Sequence, residues 1–79
     1  MLSEAQLRYL LALRDGRDPR VMTKRGKYQH TVAGFWCRKQ GLAEFEAVRG
    51  PDGNVEWYTG RHLLTPAGRT ALQEATDGE

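Results

Sequence analysis

Between Gln40 and Leu72 the chain reads QGLAEFEAVRGPDGNVEWYTGRHLLTPAGRTAL, a stretch whose punctuation leaves the backbone few choices. Gly41 supplies the left-handed residue that closes a helix, and Leu42 behind it can fold back onto the last turn as the apolar partner of that cap. Gly50-Pro51-Asp52-Gly53-Asn54 reverses the chain, because Pro presets φ and Gly or Asn tolerates a positive one. Before that turn Ala43, Phe45 and Ala47 alternate with Glu44, Glu46 and Val48. After it Val55, Trp57 and Thr59 alternate with Glu56 and Tyr58, so two half-buried strands are expected. Gly60 marks a bulge or the end of the second strand, before His62-Leu63-Leu64 drops into the core. Thr65-Pro66 then opens a helix, with Thr65 as N-cap and Pro66 at the first helical position, where its missing N–H costs nothing. The order helix, two-stranded ribbon, helix follows.

The N-terminal half is punctuated less evenly. Ser3 and Gln6 form a capping box with Leu2 and Leu7 as its hydrophobic staple, so a helix starts at Glu4. Leu7, Leu10, Leu11 and the stem of Arg14 share one stripe, and Gly16 ends it. From 17 to 27 the pattern is weakest. Pro19 discourages helix at Asp18, and Val21-Met22-Thr23 suits a short strand pairing with the ribbon; a helical turn over Pro19 to Met22, capped by Asp18, is the alternative. From Tyr28 to Gln40, the residues Tyr28, Val32, Phe35, Trp36 and the Lys39 stem recur at helical spacing, which predicts a helix that buries this face. Its other face carries Lys27, His30, Ala33, Gly34, Cys37 and Arg38. A glycine inside a helix costs about 1 kcal/mol relative to alanine, so Gly34 implies close packing or the close approach of something external. The last helix, Pro66 to about Ala75, offers Ala67, Ala71, Leu72 and Ala75 to the core, and residues 77–79 read as a disordered tail.

A chain of 79 residues allows a single domain with a small core. With 39% apolar and 28% charged residues it has the balance of a folded globular protein. No run approaches the roughly 18 apolar residues of a membrane span, and Met1-Leu2-Ser3-Glu4 lacks the basic start of a signal peptide, so a cytoplasmic location is expected. Cys37 is the only cysteine and excludes an internal disulfide. The net charge of +2 conceals an asymmetry: residues 14–39 carry eight basic and two acidic side chains (+6), while residues 40–79 carry three basic and seven acidic ones (−4). Such a chain attracts a polyanion at one face and repels it from another.

The order of elements, with Gln40-Gly41-Leu42-Ala43-Glu44 leaving one helix and Leu64-Thr65-Pro66-Ala67-Gly68-Arg69 opening the next, resembles a small winged helix-turn-helix domain. MarR-like and PadR-like regulators and many small phage or prophage proteins are of this kind, and the resemblance covers roughly residues 2 to 75. It implies an α+β fold, a winged helix of three helices packed on a two- or three-stranded antiparallel wing sheet, with residues 1–76 as its single domain. It also implies a recognition helix over Tyr28 to Gln40, duplex DNA as partner, and transcriptional regulation of phage or bacterial type. Relatives of this kind act as two-fold dimers; this chain has no long extra helix for that purpose, leaving a monomer or a weak homodimer through the last helix.

On this reading Arg20, Lys24, Arg25 and Lys27 hold phosphates ahead of the helix, while Gln29, His30 and Arg38 approach base edges. A solvated basic loop is the plain alternative. The wing weakens the DNA case, because only Arg49 could counter Asp52 and Glu56 near its tip. The rival is a protein-interaction module, a phage- or bacteria-encoded inhibitor included, in which Ala33, Gly34 and Cys37 form a flat contact and Tyr58 touches the partner. The remaining aromatics read as core. His30, Cys37 and His62 lack the spacing of a zinc set, and no nucleophile–base pattern or phosphate-cradling loop is present. No metal, cofactor or enzymatic activity is expected.

Overall fold

The computed structural model describes residues 2–77; the last two residues of the expected tail, 78–79, lie outside the described residues. Helix α1 (Glu4–Arg14) begins where the capping box requires, with the Gln6 N–H donating to Ser3 Oγ at 3.1 Å and the Ser3 N–H donating to Gln6 Oε1 at 2.9 Å. Strands β1 (Val21–Met22) and β2 (Tyr28–Gln29) come next, followed by α2 (Val32–Lys39), β3 (Ala43–Arg49), β4 (Val55–Leu64) and α3 (Pro66–Asp77). The fold is α+β, with three helices and two separate two-stranded antiparallel sheets, β1–β2 and β3–β4.

The segment from 17 to 27 resolves as strand and not as a helical turn, and it pairs locally instead of joining the long ribbon. Val21 faces Gln29 and Met22 faces Tyr28 across a tight turn closed by the Thr23 N–H on the Lys27 carbonyl, with Gly26 at φ +78°. Tyr28 and Gln29 are therefore extended, and the helix expected from Tyr28 starts only at Val32. Thr31 caps it, accepting the Gly34 N–H at 3.0 Å.

At the other end of α2 the sequence is read as written. Gly41 has φ +78°, its N–H donates to the Arg38 carbonyl, and the Leu42 N–H donates to the Cys37 carbonyl, which together form a Schellman cap. The β3–β4 register pairs Ala43 with Leu64 and Phe45 with His62, but Ala47 with Tyr58, so β4 holds two residues more than β3 across this interval. Gly60, at φ +88°, lies in that excess and makes it a bulge within a continuing strand. Thr65 caps α3 through the Gly68 N–H, and its hydroxyl donates to the Gly41 carbonyl at 2.6 Å. One side chain thus ties the start of α3 to the end of α2. A Cβ on Gly68 would collide with the Leu42 carbonyl, so only glycine permits this contact. The α3 helix extends to Asp77, slightly beyond the expected Ala75.

The core is Tyr9, Leu10, Cys37, Ala43 and Leu72, with Leu7, Leu11, Leu13, Leu42 and Leu64 packed around it. It corrects the expected orientation of α2. Cys37 is 0% exposed and Gly34 is buried, whereas Val32 is 74%, Phe35 51% and Trp36 46% exposed. The small-residue face points inward because α1 lies close: a Cβ on Gly34 would stand 2.7 Å from Tyr9 Cε2. Close helix packing selected small side chains, and the bulky apolar ones were left outside.

Candidate functional site

The four cations expected to hold phosphate do not stay together. Lys24, Arg25 and Lys27 occupy the β1–β2 turn, are exposed, and have no carboxylate within 4 Å among the described residues. Arg20, expected beside them, is instead paired with Asp18 through contacts of 2.7 and 3.0 Å, and its guanidinium lies 4.8 Å from the centre of the Tyr28 ring. That pairing holds the Asp18 carboxyl down at about 2 and raises Arg20 further. Asp18 also accepts the Arg20 backbone N–H, a local turn contact in place of the helix cap weighed above. Gln29 is exposed at the end of β2, adjoining the free cations in sequence.

The second surface lies between α2 and the long hairpin. Phe35, Phe45, Val55 and Tyr58 line a groove of about 660 Å³, together with Arg38, Lys39 and Arg49. Phe45 and Tyr58 meet edge to face at 6.3 Å, as do Phe35 and Trp36 at 5.5 Å. Lys39 Nζ lies 5.4 Å from the Trp36 ring centre. Lys39 was expected to lay its stem on the core; it accompanies these aromatics at the surface instead. Arg49 Nη1 donates to the Gly53 carbonyl at 2.8 Å, bracing the turn whose Asp52 caps the Asn54 N–H. Trp57, expected inside, is exposed, and Tyr58 is exposed as read.

Beneath the groove, Arg38 is drawn inward and is not free to read bases. Its guanidinium lies 4.6 Å from the Phe45 ring centre and donates to Tyr9 Oη at 3.0 Å and to His62 Nδ1 at 3.2 Å. Because arginine only donates, Nδ1 must accept and the ring proton sits on Nε2. Tyr9 Oη, 2.7 Å from Nδ1, then donates to the same nitrogen. Burial first, and the adjacent Arg38 and His30 second, push His62 down to about 4, so it is neutral at ordinary pH. Burial likewise raises Tyr9 and the Cys37 thiol. His62 Nε2 is buried without a partner among the described residues.

His30 is not on α2. It lies just before the Thr31 cap, exposed, 5.1 Å from the His62 ring and 5.8 Å from Phe45. Of the expected base-reading set, Gln29 and His30 remain at the surface and Arg38 does not. Of the expected protein-contact set, Tyr58 is exposed and Ala33 partly so, while Gly34 and Cys37 are sealed against α1. Sequence reading missed the Tyr9–Arg38–His62 cluster, since its members are separated by 24 to 53 residues. Nothing local signals it. No helix among the described residues is long and apolar enough to cross a membrane. Comparison with protein-family models, curated proteins and solved structures gave no match to this chain.

Proposed function

We propose that this chain is a DNA-binding domain of winged-helix type, a regulator of bacterial or phage genes, that grips duplex DNA mainly through its backbone. The observation that carries this reading is the trio Lys24, Arg25 and Lys27, presented on a short hairpin with no carboxylate within 4 Å among the described residues. Unpaired cations on a projecting turn release DNA counterions on contact, and that term dominates non-specific affinity. Exposed Lys39 beside the α2 groove adds to the cationic surface, and Gln29 and His30 are the side chains available for base edges. The aromatic outer face of α2 suits base-edge readout poorly, so weak sequence preference is expected. The β3–β4 hairpin serves as the wing on this reading, and Asp52 and Glu56 at its tip disfavour a phosphate contact there.

Titration of the full chain with random duplex DNA should show binding that weakens as salt rises. Lys24→Ala and Lys27→Ala should each reduce the slope of log affinity against log salt by about 1. No binding at low salt removes this reading.

A second reading, a protein-interaction module, is favoured by exposed Phe35, Phe45, Val55 and Tyr58, which line one groove, with Trp36 against Phe35. Contiguous apolar surface on a small protein marks a docking site. Here a Trp36→Ser change would abolish partner capture or self-association while leaving the salt slope on DNA unaltered.

A further inference from the structure

Five arginines from three separate stretches of the chain line one cleft. Arg14, Arg17 and Arg20 come from the end of α1 and the segment after it, Arg61 from the bulged part of β4 next to Gly60, and Arg69 from the first turn of α3. The cleft has a volume of about 750 Å³, within the range of small-ligand sites. Asp18 and Glu44 are the carboxylates of that lining, and Asp15 and Glu46 outside it pair with Arg14, Arg17 and Arg61, so five guanidiniums face four carboxylates among the described residues. Asp18 holds Arg20 at 2.7 Å and Asp15 holds Arg14 at 3.0 Å, whereas Arg17 reaches Asp15 only at 3.5 Å, Arg61 reaches Glu46 only at 3.9 Å, and Arg69 has no carboxylate within 4 Å among the described residues. Exposed ion pairs of this kind are weak and yield to a stronger anion.

We infer that this cleft binds a multiply charged phosphate-bearing anion, held chiefly by Arg69 and the loosely paired Arg17 and Arg61, with Arg14 and Arg20 beside them. Phosphate suits the site because planar guanidinium groups bind its oxygens in bidentate pairs. His62 is the only aromatic ring in the lining, so recognition acts on charge and not by stacking a base. This site goes beyond the DNA reading, since four of its five arginines lie outside the residues assigned to the duplex. The phosphate could belong to a free small molecule or to a nucleic-acid backbone, and both share this chemistry.

The test is calorimetric titration of the full chain with pyrophosphate and, separately, with a random duplex. The variants are the double change Arg61→Gln/Arg69→Gln and the single change Lys24→Ala; both lie at exposed positions, and unchanged circular dichroism confirms their folding. The double variant should lose roughly tenfold or more in pyrophosphate affinity, whereas Lys24→Ala should leave it within about twofold. An equal loss for the duplex in the double variant, without pyrophosphate binding by the parent chain, assigns the cleft to backbone phosphates and also supports it. The inference is overturned if the double variant binds both ligands as tightly as the parent chain, or if the parent chain binds neither. It survives a failure of the DNA reading if pyrophosphate alone binds and responds to the arginine substitutions.

Discussion

The two β-hairpins of this protein solve opposite problems. The β3–β4 hairpin begins at buried Ala43 and returns at Leu64, which packs on the core, so its base is held by the same apolar cluster that joins the helices. Its tip carries Asp52 and Glu56. The β1–β2 hairpin has two residues per strand, all four exposed, and a tip of Lys24, Arg25 and Lys27. Burial of apolar surface stabilises the first, while the second adds little to folding and is correspondingly free to carry charge. A contact surface built on the second can be altered without loss of the fold.

Substitutions should separate the hairpins most sharply at the core. Leu10→Ala is expected to lower stability by about 2–5 kcal/mol in urea denaturation, because a 0% exposed side chain leaves a cavity. Gly68→Ala comes next: although alanine favours helix, its Cβ meets the Leu42 carbonyl, and such overpacking costs about 1–3 kcal/mol. A stability equal to the parent would mean that the base of the long hairpin is not held by the close α3 contact.

The His62 cluster at that base should make stability depend on pH. Its folded value of about 4 lies below the 6.5 of an ordinary imidazole, so the unfolded chain binds more protons between these values. Stability from this group is complete above pH 6.5 and declines as pH falls toward 4. His62→Gln should flatten the profile of urea midpoint against pH over this interval. An unchanged slope would place the titration elsewhere.

Met22→Ala, in the short hairpin, should be the mildest, shifting stability by less than about 0.5 kcal/mol. A loss comparable to that of Leu10→Ala would erase the contrast, showing that the small hairpin supports the body after all.

Much of the architecture was legible wherever conformation is dictated by neighbours along the chain. The Ser3–Gln6 box, the Gly41 cap, the Gly60 bulge and the Thr65-Pro66 start all lie where their residues imply. The site was legible only in part. Lys24, Arg25 and Lys27 form a free basic tip, but Arg20 is taken by Asp18 and Arg38 by Tyr9 and His62. Formal charge counts do not distinguish a free cation from a paired one, because pairing depends on how side chains converge after folding.

Local chemistry alone therefore set the caps, turns, bulge and most element boundaries: a positive φ at Gly41 or a missing N–H at Pro66 acts within a few residues. Packing decided which side of α2 is inside. Hydrophobic spacing favoured Val32, Phe35 and Trp36, yet Tyr9 of α1 comes so near that only the Gly34 and Cys37 face fits against it. Packing also gathered Arg14, Arg17 and Arg20 with Arg61 and Arg69, joining cations from the basic half of the chain to cations from its acidic half. Such convergence arises from long-range contacts, and no local pattern of residues encodes it.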